Sequence, residues 1–196
     1  MKWRMPGRPG TDKPEGRHDR SNDPAAVWRS CHRALERLTP LAGDCGTLCG
    51  GRCCQGGPED GMLLFPGEEV LYPAHALPEG WAVRDSEIHI PERSDPIRLL
   101  VCTGQCDRRI RPISCRIFPL LPFIDGDGGL RSDPDMRAFS MCPLLSTPDA
   151  PRIKPAFIKG VCTAFSLIID EPGVRSLLAI LTEENRLTAK FHGLDL

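Results

Sequence analysis

Residues 44–54 read DCGTLCGGRCC, placing four cysteines in eleven positions with two of them adjacent. The stretch holds almost nothing to bury, so its thiols must do the organising that apolar side chains do elsewhere. Three chemistries concentrate cysteines in this way: a disulfide framework, a metal or iron–sulfur site, and a reactive thiol. A disulfide between Cys53 and Cys54 would close a strained ring, which structural bridges seldom do. The glycines between the cysteines suit a chain that wraps closely around one point.

The rest of the chain decides between these readings. It has 196 residues, 40% hydrophobic and 26% charged, which suffices for one domain with a real core. A formal net charge of −1 does not suit a general nucleic-acid binder, so nucleic acid is not an expected partner. No apolar run approaches membrane-spanning length, and the N-terminus lacks the apolar stretch of a secretory signal. The expectation is a cytoplasmic protein without a membrane partner, in a compartment where stable disulfides are rare. Thiolate ligation is therefore expected over a disulfide framework.

Residues 1–22 mix proline, glycine and charge and predict a disordered tail, leaving a single cysteine-cluster metal-binding domain over 23–190 with its motif core at 44–143. Asp23-Pro24 reads as an N-cap with proline at the first helical position. Val27, Cys31, Leu35 and Leu38 then make one apolar helix face that stops before Pro40. Met62 to Phe65 predict a short strand. Pro66-Gly67-Glu68-Glu69 predicts a turn into a short helix, where the two acids answer to the helix dipole. WAVRDSEIHI (81–90, containing His89) and PIRLLVCT (96–103) predict strands. IFPLLPFI (117–124) leads into DGDGG, where Asp125 and Asp127 suit a hairpin turn better than a calcium loop. Phe157, Ile158, Val161, Cys162 and Phe165 form one C-terminal helix face, and Val174, Leu177, Leu178 and Leu181 form a second. The expected fold is α+β: an N-terminal helix, short antiparallel strands with long cysteine-rich metal-binding loops, and a C-terminal helical pair.

Cys31 and Cys162 lie on apolar helix faces and read as core. The remaining eight, Cys45, Cys49, Cys53, Cys54, Cys102, Cys106, Cys115 and Cys142, fall in turn-rich segments and are the candidate metal ligands. Their spacings, C-x3-C-x3-C-C and C-x3-C-x8-C with a distant C-P, match neither a zinc ribbon nor a zinc finger. They indicate more than four sulfurs and leave the metal open between zinc and an iron–sulfur cluster. Several thiolates around a cation leave net negative charge. Arg108, Arg109, Arg111 and Arg116 stand beside three of the cysteines, and Arg52 lies inside the first loop. A guanidinium about 5 Å away is worth roughly 3 kcal/mol per unit charge at an effective dielectric of about 20. The same arginines also fit a basic surface for a partner, and the sequence leaves both roles open.

The run CGTLCGGRCC, with the later block RPISCRIFPL, resembles the YkgJ-like cysteine-cluster family, described as a zinc- or iron-chelating domain. Arg111, Pro112, Cys115, Arg116, Phe118 and Pro119 carry the second block. The first run has three-residue spacers where the family has two. The resemblance implies metal chelation by the eight loop cysteines with Arg111 and Arg116 supporting, and it implies no reaction.

Three functions follow. The first is a cytoplasmic metal-binding protein holding zinc or an iron–sulfur cluster. The second is an iron–sulfur enzyme or accessory protein, in which a spare thiolate of the Cys53–Cys54 pair does chemistry. The third is a metal-stapled module presenting arginines to an acidic protein partner. The sequence contains no phosphate loop, no Ser–His–Asp constellation and no paired carboxylates placed for acid–base work, so no catalytic residues are assigned.

Overall fold

The computed structural model describes residues 23–55, 60–104 and 106–194; the tail expected over 1–22 lies outside the described residues. The architecture is mixed α+β, with an N-terminal helix, short antiparallel strands in two small sheets and two C-terminal helices.

Helix α1 (Ala26–Leu35) starts after the proline rather than on it. Asp23 still organises the entry: its Oδ1 accepts from the Ala25 amide at 3.0 Å, and its main-chain oxygen accepts from Ala26. The buried face is Trp28, Cys31 and Leu35, with Val27 and Leu38 at its edge. Trp28 is the residue that the apolar spacing alone passed over. Cys31 is fully buried, as expected of a small core residue.

Strand β1 (Gly61–Leu63) pairs antiparallel with β3 (Arg98–Val101), which pairs on its other edge with β2 (Ala82–Asp85). Met62 and Val83 both face Leu100 across the ladder. Both outer strands are shorter than their sequence patterns suggested, and His89 lies beyond β2, exposed. Helix α2 (Ile113–Ile117) follows, in a segment that reads as turns in the sequence. Strands β4 (Leu120–Ile124) and β5 (Leu130–Pro134) form the expected hairpin. Its turn closes on Asp125, whose Oδ1 accepts from the amides of Asp127 and Gly129. The short α3 (Pro143–Ser146) leads to α4 (Pro155–Phe165) and α5 (Val174–Phe191).

One apolar cluster joins these parts. Phe157, Val161 and Phe165 of α4 pack on α1, and Val174, Leu177, Leu178 and Leu181 of α5 pack towards β4. Phe65 meets Phe165 edge to face with ring centroids 5.0 Å apart. Ile158 and Cys162, expected on the buried face of α4, lie at its margin. Ile158 is exposed, and the Cys162 sulfur faces Ser132 Oγ of β5. No helix of the described residues is long and apolar enough to cross a membrane.

Glu68 corrects the helix-dipole explanation. It opens a 3-10 turn (Glu68–Leu71), yet its side chain is 0% exposed and turned inward. Oε2 accepts from the Phe65 amide at 3.0 Å and Oε1 from the Ile113 amide at 2.8 Å, while His32 Nε2 stands 2.8 Å from Oε1. One carboxylate thus ties α1, the 65–71 turn and the start of α2 together. Glu68→Ala would leave two buried main-chain N–H groups without an acceptor, at about 1–3 kcal/mol each. The variant is expected to lose about 2–6 kcal/mol in urea unfolding; a change under about 1 kcal/mol would show that the brace is dispensable.

Candidate metal centre

The first cysteine loop is built from two tight 3-10 turns. Asp44 Oδ1 accepts from the Gly46 amide at 2.9 Å and starts the turn Cys45–Leu48, with Cys49 closing it. Gly50 and Gly51 then take positive φ, 64° and 70°, a conformation that L side chains resist. The chain doubles back into the turn Arg52–Cys54, and Gln55 Nε2 donates to the Gly50 oxygen at 2.7 Å. The second loop leaves β3 at Cys102 and passes Cys106 before the turn Arg108–Ile110. Cys115 was expected in a turn-rich segment; it lies on α2, among buried neighbours. Cys142 is the residue on which α3 starts. None of the ten cysteines is in a disulfide.

Electrostatic contacts among the eight candidate ligands fall into two neighbourhoods that meet at the Cys53–Cys54 pair. Cys45 lies within electrostatic reach of Cys49 and Cys142, and Cys53 within reach of Cys45 and Cys49. Cys115 lies within reach of Cys54, Cys102 and Cys106. The adjacent pair stands at the join: Cys53 feels Cys45 and Cys49, Cys54 is felt by Cys106 and Cys115, and the two interact most strongly with each other. The two loops are pressed together at this point: the Cys54 carbonyl oxygen rests against Gly104, itself at φ 81°.

Crowding shows in the thiols' acidity. Burial, then neighbouring charge, pushes Cys45, Cys106, Cys115 and Cys142 above the ordinary thiol range. For Cys53 the bond to Cys54 comes first and burial second. Two contacts oppose the trend: the Leu144 and Leu145 amides point at Cys142, and Arg111 hydrogen-bonds Cys106. A thiol surrounded by thiols resists ionising because each new negative charge repels the next. A cation among them reverses that preference.

The arginines divide as well. Arg111 stands with the second group, its Nη2 donating to the Cys106 oxygen at 3.1 Å. Its Nε is buried without a hydrogen-bond partner, next to thiols that would accept from it once ionised. Arg108 donates to the main-chain oxygens of Leu35, Glu36 and Leu38 at the C-terminal end of α1 while staying within electrostatic reach of Cys45. Arg116, the other supporting residue that the resemblance implies, is 2% exposed and bonded to the main-chain oxygens of Arg111, His32 and Arg109. It braces the fold at that point. Arg109 pairs with Asp107 at the surface and, with its own main-chain N–H, lowers that carboxyl to about 2. Arg52 is exposed.

As a donor set, two groups of four sulfurs match the all-thiolate chemistry of zinc and iron–sulfur sites. As arranged here the sulfurs are neighbours without converging. Among the described residues no group of three or more His, Cys, Asp or Glu side chains is placed to hold a metal ion.

A Cβ at residue 104 would run into the Cys54 carbonyl oxygen and would sit at a φ that costs an L residue about 1–2 kcal/mol. Gly104→Ala is expected to lower stability by at least that amount in urea unfolding. Equal stability would mean that the loops are not in contact there. Compared with known proteins, the chain matches no family model, no curated protein and no solved structure.

Proposed function

We propose that this chain is a cytoplasmic metal-binding protein with two thiolate centres, each held by four cysteines. Cys45, Cys49, Cys53 and Cys142 would supply one, and Cys54, Cys102, Cys106 and Cys115 the other. The observation that carries this reading is the division of Cys53 and Cys54 between two sets of four. Adjacent residues cannot readily turn both side chains onto one tetrahedral ion, and beyond its bond to Cys54, Cys53 feels Cys45 and Cys49, whereas Cys54 is felt by Cys106 and Cys115. The unpartnered Arg111 Nε supports the second set, because an ionised sulfur there supplies the acceptor it lacks.

Both zinc and an iron–sulfur cluster accept four cysteine ligands, and bound there would supply, respectively, a structural staple or a one-electron redox centre. With every ligand position taken by sulfur, neither proposed centre keeps an open coordination position for a substrate. The proposed role is therefore holding, carrying or handing on a metal or cluster rather than metal-assisted hydrolysis. The resemblance of CGTLCGGRCC and RPISCRIFPL to the YkgJ-like cysteine-cluster family points the same way.

The test is anaerobic purification with elemental analysis and an absorption spectrum. Two centres per chain are expected in the native sequence. One is expected in Cys142→Ser and one in Cys115→Ser, with two retained in Cys162→Ser. Broad absorption near about 400 nm with iron and sulfide would assign clusters, and a colourless zinc protein would assign zinc. No metal in the native chain, or loss of both centres in either single variant, would overturn the two-centre reading. Apparent affinity should tighten as pH rises, since each raised thiol must release a proton to ligate.

A further inference from the structure

A cavity of about 410 Å³ opens between α1, the 71–81 segment and the 109–116 segment. It lies within the size range of small-molecule sites. None of the eight candidate ligands lines it.

The lining has two characters. Arg29 and Arg33 on α1, with Arg109 and Arg116 opposite, give four guanidinium groups against one carboxylate, Glu36. Arg29 and Arg109 are already paired, with Asp23 and Asp107. Arg33 pairs with no carboxylate among the described residues; it donates only to Ser30 Oγ, at 2.9 Å. Arg116 is a buried cation whose three hydrogen bonds all go to neutral carbonyls, and those bonds use three of its five N–H groups. The other wall is aromatic and aliphatic: Tyr72 and Trp81, with Leu77 and Ile110 beside them. Tyr72 is anchored through its hydroxyl to the Ile110 oxygen at 3.3 Å, so that wall is held in place before any ligand arrives.

Guanidinium groups bind phosphate and carboxylate by paired hydrogen bonds, and tyrosine and tryptophan faces stack on flat rings. Set across one cavity, these surfaces ask for both ends in a single molecule. We propose that the cavity binds a small aromatic anion, a flat ring carrying a phosphate or carboxylate. A bare inorganic anion would leave the aromatic wall unused, and an uncharged ring would leave Arg33 without a carboxylate or phosphate partner.

The test is calorimetric titration of the full chain with AMP, indole-3-acetate, adenosine and inorganic phosphate. At least one of the two aromatic anions is expected to bind at least tenfold more tightly than adenosine and than phosphate. AMP binding assigns the phosphate source, and indole-3-acetate binding assigns the carboxylate source. Arg33→Glu and Trp81→Ala should each weaken that binding at least tenfold. Arg33 is exposed on α1, so its variant should keep the native circular dichroism spectrum and melting temperature. Failure of both aromatic anions, phosphate binding as tightly as AMP, or affinity unchanged in the two folded variants would overturn the proposal.

Discussion

The buried Glu68 carboxylate is the constraint on which the arrangement around the cysteines depends. A charge removed from water must be met by hydrogen bonds or opposite charge, or the chain will not bury it. Here it is met by the Phe65 and Ile113 amides, by His32 and by the nearby Arg116 cation. Because those donors come from three separate stretches, satisfying one carboxylate fixes where α2 begins relative to α1. Cys115, Arg116 and the preceding Arg111 then take their places as a consequence. Ser114 adds a second tie, its hydroxyl donating to the Leu63 oxygen of β1 at 2.5 Å.

That arrangement gives the segment 106–116 two faces. One carries Cys106, Cys115 and Arg111 towards Cys54 and Cys102; the other carries Arg109, Ile110 and Arg116 into the cavity beside Tyr72 and Trp81. The proposed metal centre and the proposed anion site therefore share a wall. Tyr72 shows how thin it is, since burial, Glu68 and the thiols of Cys115 and Cys106 together push its hydroxyl above the ordinary phenol range.

Much of the architecture was legible beforehand. The helices α1, α4 and α5 carry apolar residues at helical spacing, and the β4–β5 hairpin is announced by DGDGG between apolar runs. Helix α2 was not legible, because five residues starting after a proline are too few to show a period. Glu68 was misread for a related reason. An acid at the start of a helical turn looks the same in sequence whether it faces water or the core, and its partners lie 36 and 45 residues away. The cavity left no trace in the sequence, since its walls come from three separated segments and contain no motif.

The sequence by itself determined that ten cysteines are present, that Cys31 belongs to an apolar helix face, and that the candidate ligands other than Cys115 lie in turns, loops or at a helix start. Those are local properties, settled by spacing and side-chain type. Which thiols stand together was decided only by the tertiary structure. Cys53 and Cys54 are neighbours in the chain, yet the reversal at Gly50-Gly51 and the contact with Gly104 assign them to different sets. Cys142 lies far beyond Cys49 in the chain and joins its set because α3 is brought back to the first loop. Spacing counts bonds along the chain, whereas a ligand set depends on distances through space, and long-range packing sets those.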